Sequence, residues 1–118
     1  MSDPIGPVFA ALADPTRRMV VQSLLSEGTT SVPSLTAALP ITRQAVAKHL
    51  AALDSAGLIE RAPGAGREIR YRLRAGALAP AAGWMADTQA AWDSRLARLK
   101  TSVEAGGSGK RRRSAGAR

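Results

Sequence analysis

The 118 residues leave room for one compact domain, and a composition that is 45% hydrophobic but only 3% aromatic requires a thin core of Leu, Val, Ile and Ala. A core that thin favours burial against a second copy of the chain. With no cysteine, disulfides, thiolate nucleophiles and Cys-ligated metals are excluded, and a net charge of +8 favours polyanionic partners over acidic or neutral ones.

That charge is placed rather than general: Gly106 to Arg118 carries +5 with no acid, Thr42 to Arg74 carries +4, and the remainder sums to about −1. No run approaches the roughly 18 apolar residues of a membrane span, and the N-terminus lacks a signal-peptide pattern, so the expected compartment is the cytoplasm, with no membrane partner.

In chain order, Ile5 to Leu12 reads as a short amphipathic stretch. Asp14-Pro15 then predicts a helix start, the carboxylate capping free amides and the proline occupying the first helical position. Met19, Val20, Leu24 and Val21 supply its apolar side, and Glu27-Gly28 ends it. Ser31 is placed to cap a second, shorter helix that turns Val32, Leu35 and Leu39 inward, and Pro40-Ile41 forces a break. Thr42 caps a third helix running to about Ser55, in which Val46, Leu50 and Leu53 recur at i, i+4 and i+7 and face the core. Gly57 closes it as a left-handed cap.

Two strand-like runs follow, Leu58 to Ala62 and Glu68 to Leu73, joined by Pro63-Gly64-Ala65-Gly66-Arg67. The second alternates, Ile69, Tyr71 and Leu73 on one face and Glu68, Arg70 and Arg72 on the other, which predicts a hairpin with a basic outer side. The last helix, about Ala77 to Ala105 with Pro80 in its first turn, repeats Leu78, Met85, Trp92 and Leu99 every seven residues, with a second column of Ala82, Gln89, Leu96 and Val103. Two such columns form an apolar seam suited to a second copy, and Leu78, Met85, Trp92, Leu96, Leu99 and Val103 are its expected interface residues. The domain is thus expected over 1–105. Residues 106–118, Gly-rich and then basic, are expected to be a disordered tail, either an inert solvated run or a source of nonspecific attraction to DNA.

Helix, short helix, tight break, capped helix and basic hairpin is the plan of a winged helix-turn-helix: mainly α with a β-hairpin wing and, here, a long C-terminal dimerisation helix. With Val46, Leu50 and Leu53 anchored inward, Thr42, Arg43, Gln44, Ala47 and Lys48 fall on the opposite or N-terminal faces. Arg43 suits a bidentate pair with guanine and Gln44 with adenine, while Thr42 and Lys48 suit phosphates. His49 sits at the flank of that face, open to reading as a buried hydrogen-bonded residue, a DNA contact or a metal ligand; one histidine without cysteine makes the last the poorest. At the hairpin tip, within 63–70, Arg67 and Arg70 are positioned for a phosphate or the minor groove, with Arg61 and Arg72 as weaker candidates. Arg17 and Arg18 follow a helix cap and read first as surface charges paired with Asp14 or with a neighbouring helix.

Four stretches resemble the ArsR-type transcriptional repressors: Phe9-Ala10-Ala11-Leu12-Ala13-Asp14-Pro15-Thr16-Arg17-Arg18, Ile41-Thr42-Arg43-Gln44-Ala45-Val46-Ala47-Lys48-His49-Leu50, Leu53-Asp54-Ser55-Ala56-Gly57-Leu58-Ile59 and Gly66-Arg67-Glu68. Trp84 and Trp92-Asp93-Ser94-Arg95-Leu96 look like the metal-independent branch. The resemblance implies a bacterial homodimeric repressor of double-stranded DNA that binds an inverted repeat near its own promoter; no cofactor is expected, and whether a small-molecule inducer exists is not given by the sequence. Where metal-sensing members carry cysteines, this chain reads Ser31-Val32-Pro33-Ser34-Leu35, so that metal site is absent; where relatives usually carry serine, it has Ala47.

Other function classes fare worse. One histidine, one tyrosine and no cysteine assemble no convincing nucleophile, base or metal set for an enzyme, so no catalytic residue is assigned. A winged helix used for protein or RNA contacts would not need Arg43 and Gln44 at an exposed helix start. A ligand-responsive member of the same family needs a pocket that the sequence does not reveal.

Overall fold

The computed structural model describes residues 3–64 and 66–107. The chain divides into two units, residues 1–82 and 83–118.

In the first unit, α1 (Gly6–Leu12) is entered through Asp3, whose Oδ1 accepts the backbone N–H groups of Ile5 and Gly6, both at 3.0 Å. Its far end is held by Arg18, whose Nη1 donates to the carbonyls of Leu12 (2.6 Å) and Ala13 (3.2 Å). These are two of the carbonyls that a helix C-terminus leaves unpaired. Arg18 is therefore bonded to the end of the neighbouring helix and not to Asp14.

The cap expected at Asp14 is present. Its Oδ1 accepts from the N–H groups of Thr16 (2.8 Å) and Arg17 (3.2 Å), and Pro15 opens α2 (Pro15–Glu27). Gly28, at φ 85°, ends the helix in the left-handed region that a residue with a Cβ adopts at a cost. Val20 and Leu24 are buried and Val21 half-buried, but Met19 lies on the exposed side, contrary to its expected place in the core.

Ser31 Oγ accepts from Ser34 N–H at 3.2 Å to start α3 (Val32–Ala38). Leu35 is fully buried, and Val32 and Leu39 are partly buried against the core. Thr42 Oγ1 accepts from Ala45 N–H at 3.1 Å to start α4 (Arg43–Ser55), whose inward face is Val46, Leu50 and Leu53, as the spacing requires.

The chain then turns at Gly57 (φ 77°) into the strands. Here the structure corrects the two-stranded expectation. Thr29 and Thr30 form a short strand, β1 (Thr29–Thr30), so the sheet is three-stranded and antiparallel in the order β1-β3-β2, with β2 (Ile59–Ala62) and β3 (Arg70–Leu73). Thr29 pairs with Arg72 and Thr30 with Tyr71, while Ile59 to Ala62 pair with Leu73 to Arg70 in reverse order. Glu68 and Ile69 precede β3, and Ile69 is exposed rather than aligned with Tyr71 and Leu73 on a packed face.

One core joins these elements: Val8 and Ala11 of α1, Val20 and Leu24 of α2, Leu35, the α4 triad, Leu58, Ile59 and Ala81. No aromatic side chain is fully buried in it. The last helix, α5 (Ala79–Gly107), begins two residues later than expected, keeps Pro80 in its first turn and continues through Gly106 and Gly107. In the second unit it is a helix with almost every described position exposed, including Met85, Trp92, Leu96, Leu99 and Val103. The basic run Lys110 to Arg113 lies outside the described residues.

Candidate nucleic-acid interface

Burial separates the two faces of α4. Val46, Leu50 and Leu53 are at most 2% exposed, whereas Thr42, Arg43, Gln44, Ala47 and Lys48 are all exposed. Ridding the inward triad of water, at about 1.5–3 kcal/mol for each fully buried aliphatic side chain, fixes the helix's rotation and so the direction of its polar edge. Arg43 and Gln44 occupy the first turn, next to unpaired helix amides that favour anions. The side chains of Arg43 and Lys48 have no hydrogen-bond or ion-pair partner among the described residues, so their charge is available to an outside group.

His49 stands apart from these. It is half-buried, and its Nδ1 accepts from Arg17 Nε of α2 at 3.3 Å. Of the two readings open for Arg17, the neighbouring-helix pairing is the one its side chain adopts. Its backbone serves the cap: the Arg17 N–H, chiefly, and the Thr16 N–H hold the Asp14 carboxyl below the usual carboxylate range, and the Arg17 charge pulls the same way.

The wing arginines divide into two sets. Arg70 donates from Nη1 to Glu68 Oε1 (2.7 Å) and from Nε to Thr29 Oγ1 (3.0 Å), tying the tip to β1. Arg72 Nε donates to Glu60 Oε2 (2.8 Å), and Arg74 Nε lies 3.9 Å from Glu60 Oε1. The outer side of the hairpin is therefore partly neutralised rather than uniformly basic. Arg61 and Arg67 have no such partner among the described residues, and Gly66 beside Arg67 takes φ 79°.

A helix-turn-helix domain model matches residues 12–62, spanning α2, α3, α4 and β2. The transcriptional regulator CmtR of Mycobacterium tuberculosis is 39% identical over 84 residues, 71% of this chain and 70% of that one. The regulator YuzN of Bacillus subtilis is 41% identical over 58 residues, 44% of this chain, and the match spans 63% of the Bacillus protein. Among solved structures, an ArsR-like transcriptional regulator from Rhodococcus sp. RHA1 is 43% identical with a TM-score of 0.73, over 83% of this chain and 91% of that one. A further ArsR family regulator, RHA00566, is 29% identical with a TM-score of 0.67 over 80% and 98%. The chain belongs to the ArsR-type helix-turn-helix transcriptional regulators. It is a DNA-binding regulator of transcription, a class whose members are not enzymes.

In this ArsR-type regulator, α3 and α4 are the helix pair, and the β2–β3 hairpin, extended by β1, is the wing. Thr42, Arg43, Gln44, Ala47 and Lys48 come together on one edge of α4, with His49 at its margin. Arg67 and Arg70 lie on the wing instead, and Arg70 is already committed to Glu68 and Thr29. Two features escaped sequence reasoning: the Arg17–His49 bond, which spans 32 positions, and the double use of Glu60. The strand register that sets Glu60 opposite Arg72 would have signalled the second.

Proposed function

We propose that the protein is a homodimeric repressor that binds an inverted-repeat operator through α4 and the wing. The observation that carries this reading is the exposed, unpaired Arg43 beside Gln44 at the start of a helix whose opposite face is sealed in the core. In such a placement Arg43 addresses guanine O6 and N7 and Gln44 addresses adenine N6 and N7 in the major groove, while Thr42, Lys48 and His49 face the flanking phosphates. Ala47 supplies only apolar contact. Arg67 and, once released from Glu68, Arg70 reach the backbone or the adjoining minor groove.

The two-fold symmetry of an inverted repeat calls for two copies. Support for a dimer comes from the apolar stripe of Met85, Trp92, Leu96, Leu99 and Val103 along α5: each is about half exposed or more, Trp92 at 63% and Val103 at 71%, a pattern that single exposed residues do not make. Leu78, expected in the same seam, precedes the helix and is itself about half exposed. A cytoplasmic site of action follows from the same reading. None of the described helices is long and apolar enough to cross a membrane.

The test uses a duplex selected by the protein from a random pool, and a scrambled duplex of the same composition. Arg43→Ala should cost about 1–3 kcal/mol of discrimination between them in a competition gel. Unchanged preference would remove Arg43 from base recognition.

A further inference from the structure

Beyond the edge of α4, one pair of side chains has the chemistry of an anion site. Arg17 in the first turn of α2 and His49 in the middle of α4 meet through Nε and Nδ1 at 3.3 Å, and both are half-buried. A guanidinium nitrogen only donates, so Nδ1 must be the acceptor. The ring is then neutral and carries its proton on Nε2. That Nε2–H and the two Nη groups of Arg17 have no hydrogen-bond partner among the described residues.

Arg17 also has no ion-pair partner among the described residues, although its charge is felt at the Asp14 carboxylate. Asp14, the acid nearest in sequence, spends its Oδ1 on the backbone N–H groups of Thr16 and Arg17 and forms no ion pair with the guanidinium. The contrast with Arg70 and Arg72 on the wing, each bonded to a glutamate, is direct. Lys48, adjacent to His49, adds a second unpaired cation.

We propose that Arg17 and His49 form a binding site for one backbone phosphate of duplex DNA, which extends the α4 surface onto α2. The site rests on the reading of α4 as the DNA-facing helix. The Nε–Nδ1 bond holds both partners before DNA arrives, so the guanidinium fork and the Nε2–H meet a phosphate oxygen with little further ordering cost. A phosphate, rather than a base edge, is the matching partner because the donors outnumber the acceptors and the guanidinium has no ion-pair partner among the described residues.

The experiment compares wild type, Arg17→Met, Arg17→Lys, His49→Gln and His49→Phe on the selected and scrambled duplexes across a salt series, with circular dichroism to verify folding. Arg17→Met should weaken both duplexes alike, by about tenfold, and make the salt slope shallower by about one. His49→Gln, whose amide nitrogen replaces the Nε2 donor, should retain most of the affinity that His49→Phe loses. Arg17→Lys keeps the charge without the fork and should fall between Arg17→Met and wild type. Nitrogen-15 spectra of the wild-type imidazole should show an unprotonated Nδ1 and an Nε2–H that shifts when scrambled duplex is added; this holds even if a variant fails to fold. A wild-type salt slope in folded Arg17→Met, or a ring protonated on Nδ1, overturns the proposal. If Arg43→Ala loses sequence preference while Arg17→Met keeps the slope, the phosphate site falls and the α4 reading stands; if neither variant changes binding, both fall.

Discussion

At the scale of single residues, three short polar side chains decide where helices begin. Asp14, Ser31 and Thr42 each accept backbone amides that the helix itself leaves unpaired. Their partners lie two or three positions away, which is why all three caps were legible in the sequence. Asp14 also gives stability a pH signature. Its folded carboxyl titrates below the usual range, so its contribution is complete above the unfolded value, about 3.9, and is lost as pH falls through the lower folded value. Asp14→Ala should lower the melting temperature at neutral pH, and Asp14→Asn, still able to cap, should lower it less. Thermal melts taken down to about pH 2 should show a smaller acid loss in Asp14→Asn than in wild type. Identical acid loss in both would mean that this carboxylate is not the group responsible. The Arg17–His49 bond marks the opposite limit of legibility: nothing local at either residue announces a partner 32 positions away.

At the scale of elements, the periodic signal held in α4, where three aliphatic residues share one face, and misplaced Met19 in α2. The bounds of α4 and its inward triad followed from three aliphatic residues at helical spacing and one threonine. A two-residue strand carries no period, so β1 was invisible; Thr29 and Thr30 extend only because β3 offers an edge to pair with. Similarly, Glu68 and Ile69 continued an alternation that the tip of the wing does not honour. The wing's charge was legible in number but not in pairing. Because Glu60 answers both Arg72 and Arg74, Glu60→Gln should free positive charge and strengthen binding to the scrambled duplex several-fold, with a steeper salt dependence. Stability should change by less than about 1 kcal/mol, as expected for an exposed ion pair. Unchanged affinity would place this side of the wing away from the phosphates.

For the whole molecule, the thin aliphatic core and the exposed α5 stripe are two aspects of one composition. With so few aromatics, the chain buries little bulk internally and leaves both tryptophans half exposed or more on the last helix. The heptad spacing of Leu78, Met85, Trp92 and Leu99 was legible because it repeats; which surface covers it is not encoded in one chain's periodicity. If a second copy does, Trp92→Asp should place a charge in the seam, give monomers by light scattering and lose operator affinity. An intact dimer would refute the seam.

DNA binding by this protein depends on α4 turning its polar edge to the duplex while its aliphatic edge stays sealed. The most direct measurement is a backbone amide shift map recorded as the selected duplex is titrated into isotopically labelled protein. The largest changes are expected at Thr42 to His49, with further changes at Gly66 and Arg67, and little at the amides around Leu35 and Ile59. A map in which residues 42–49 stay still while another surface moves would contradict that orientation.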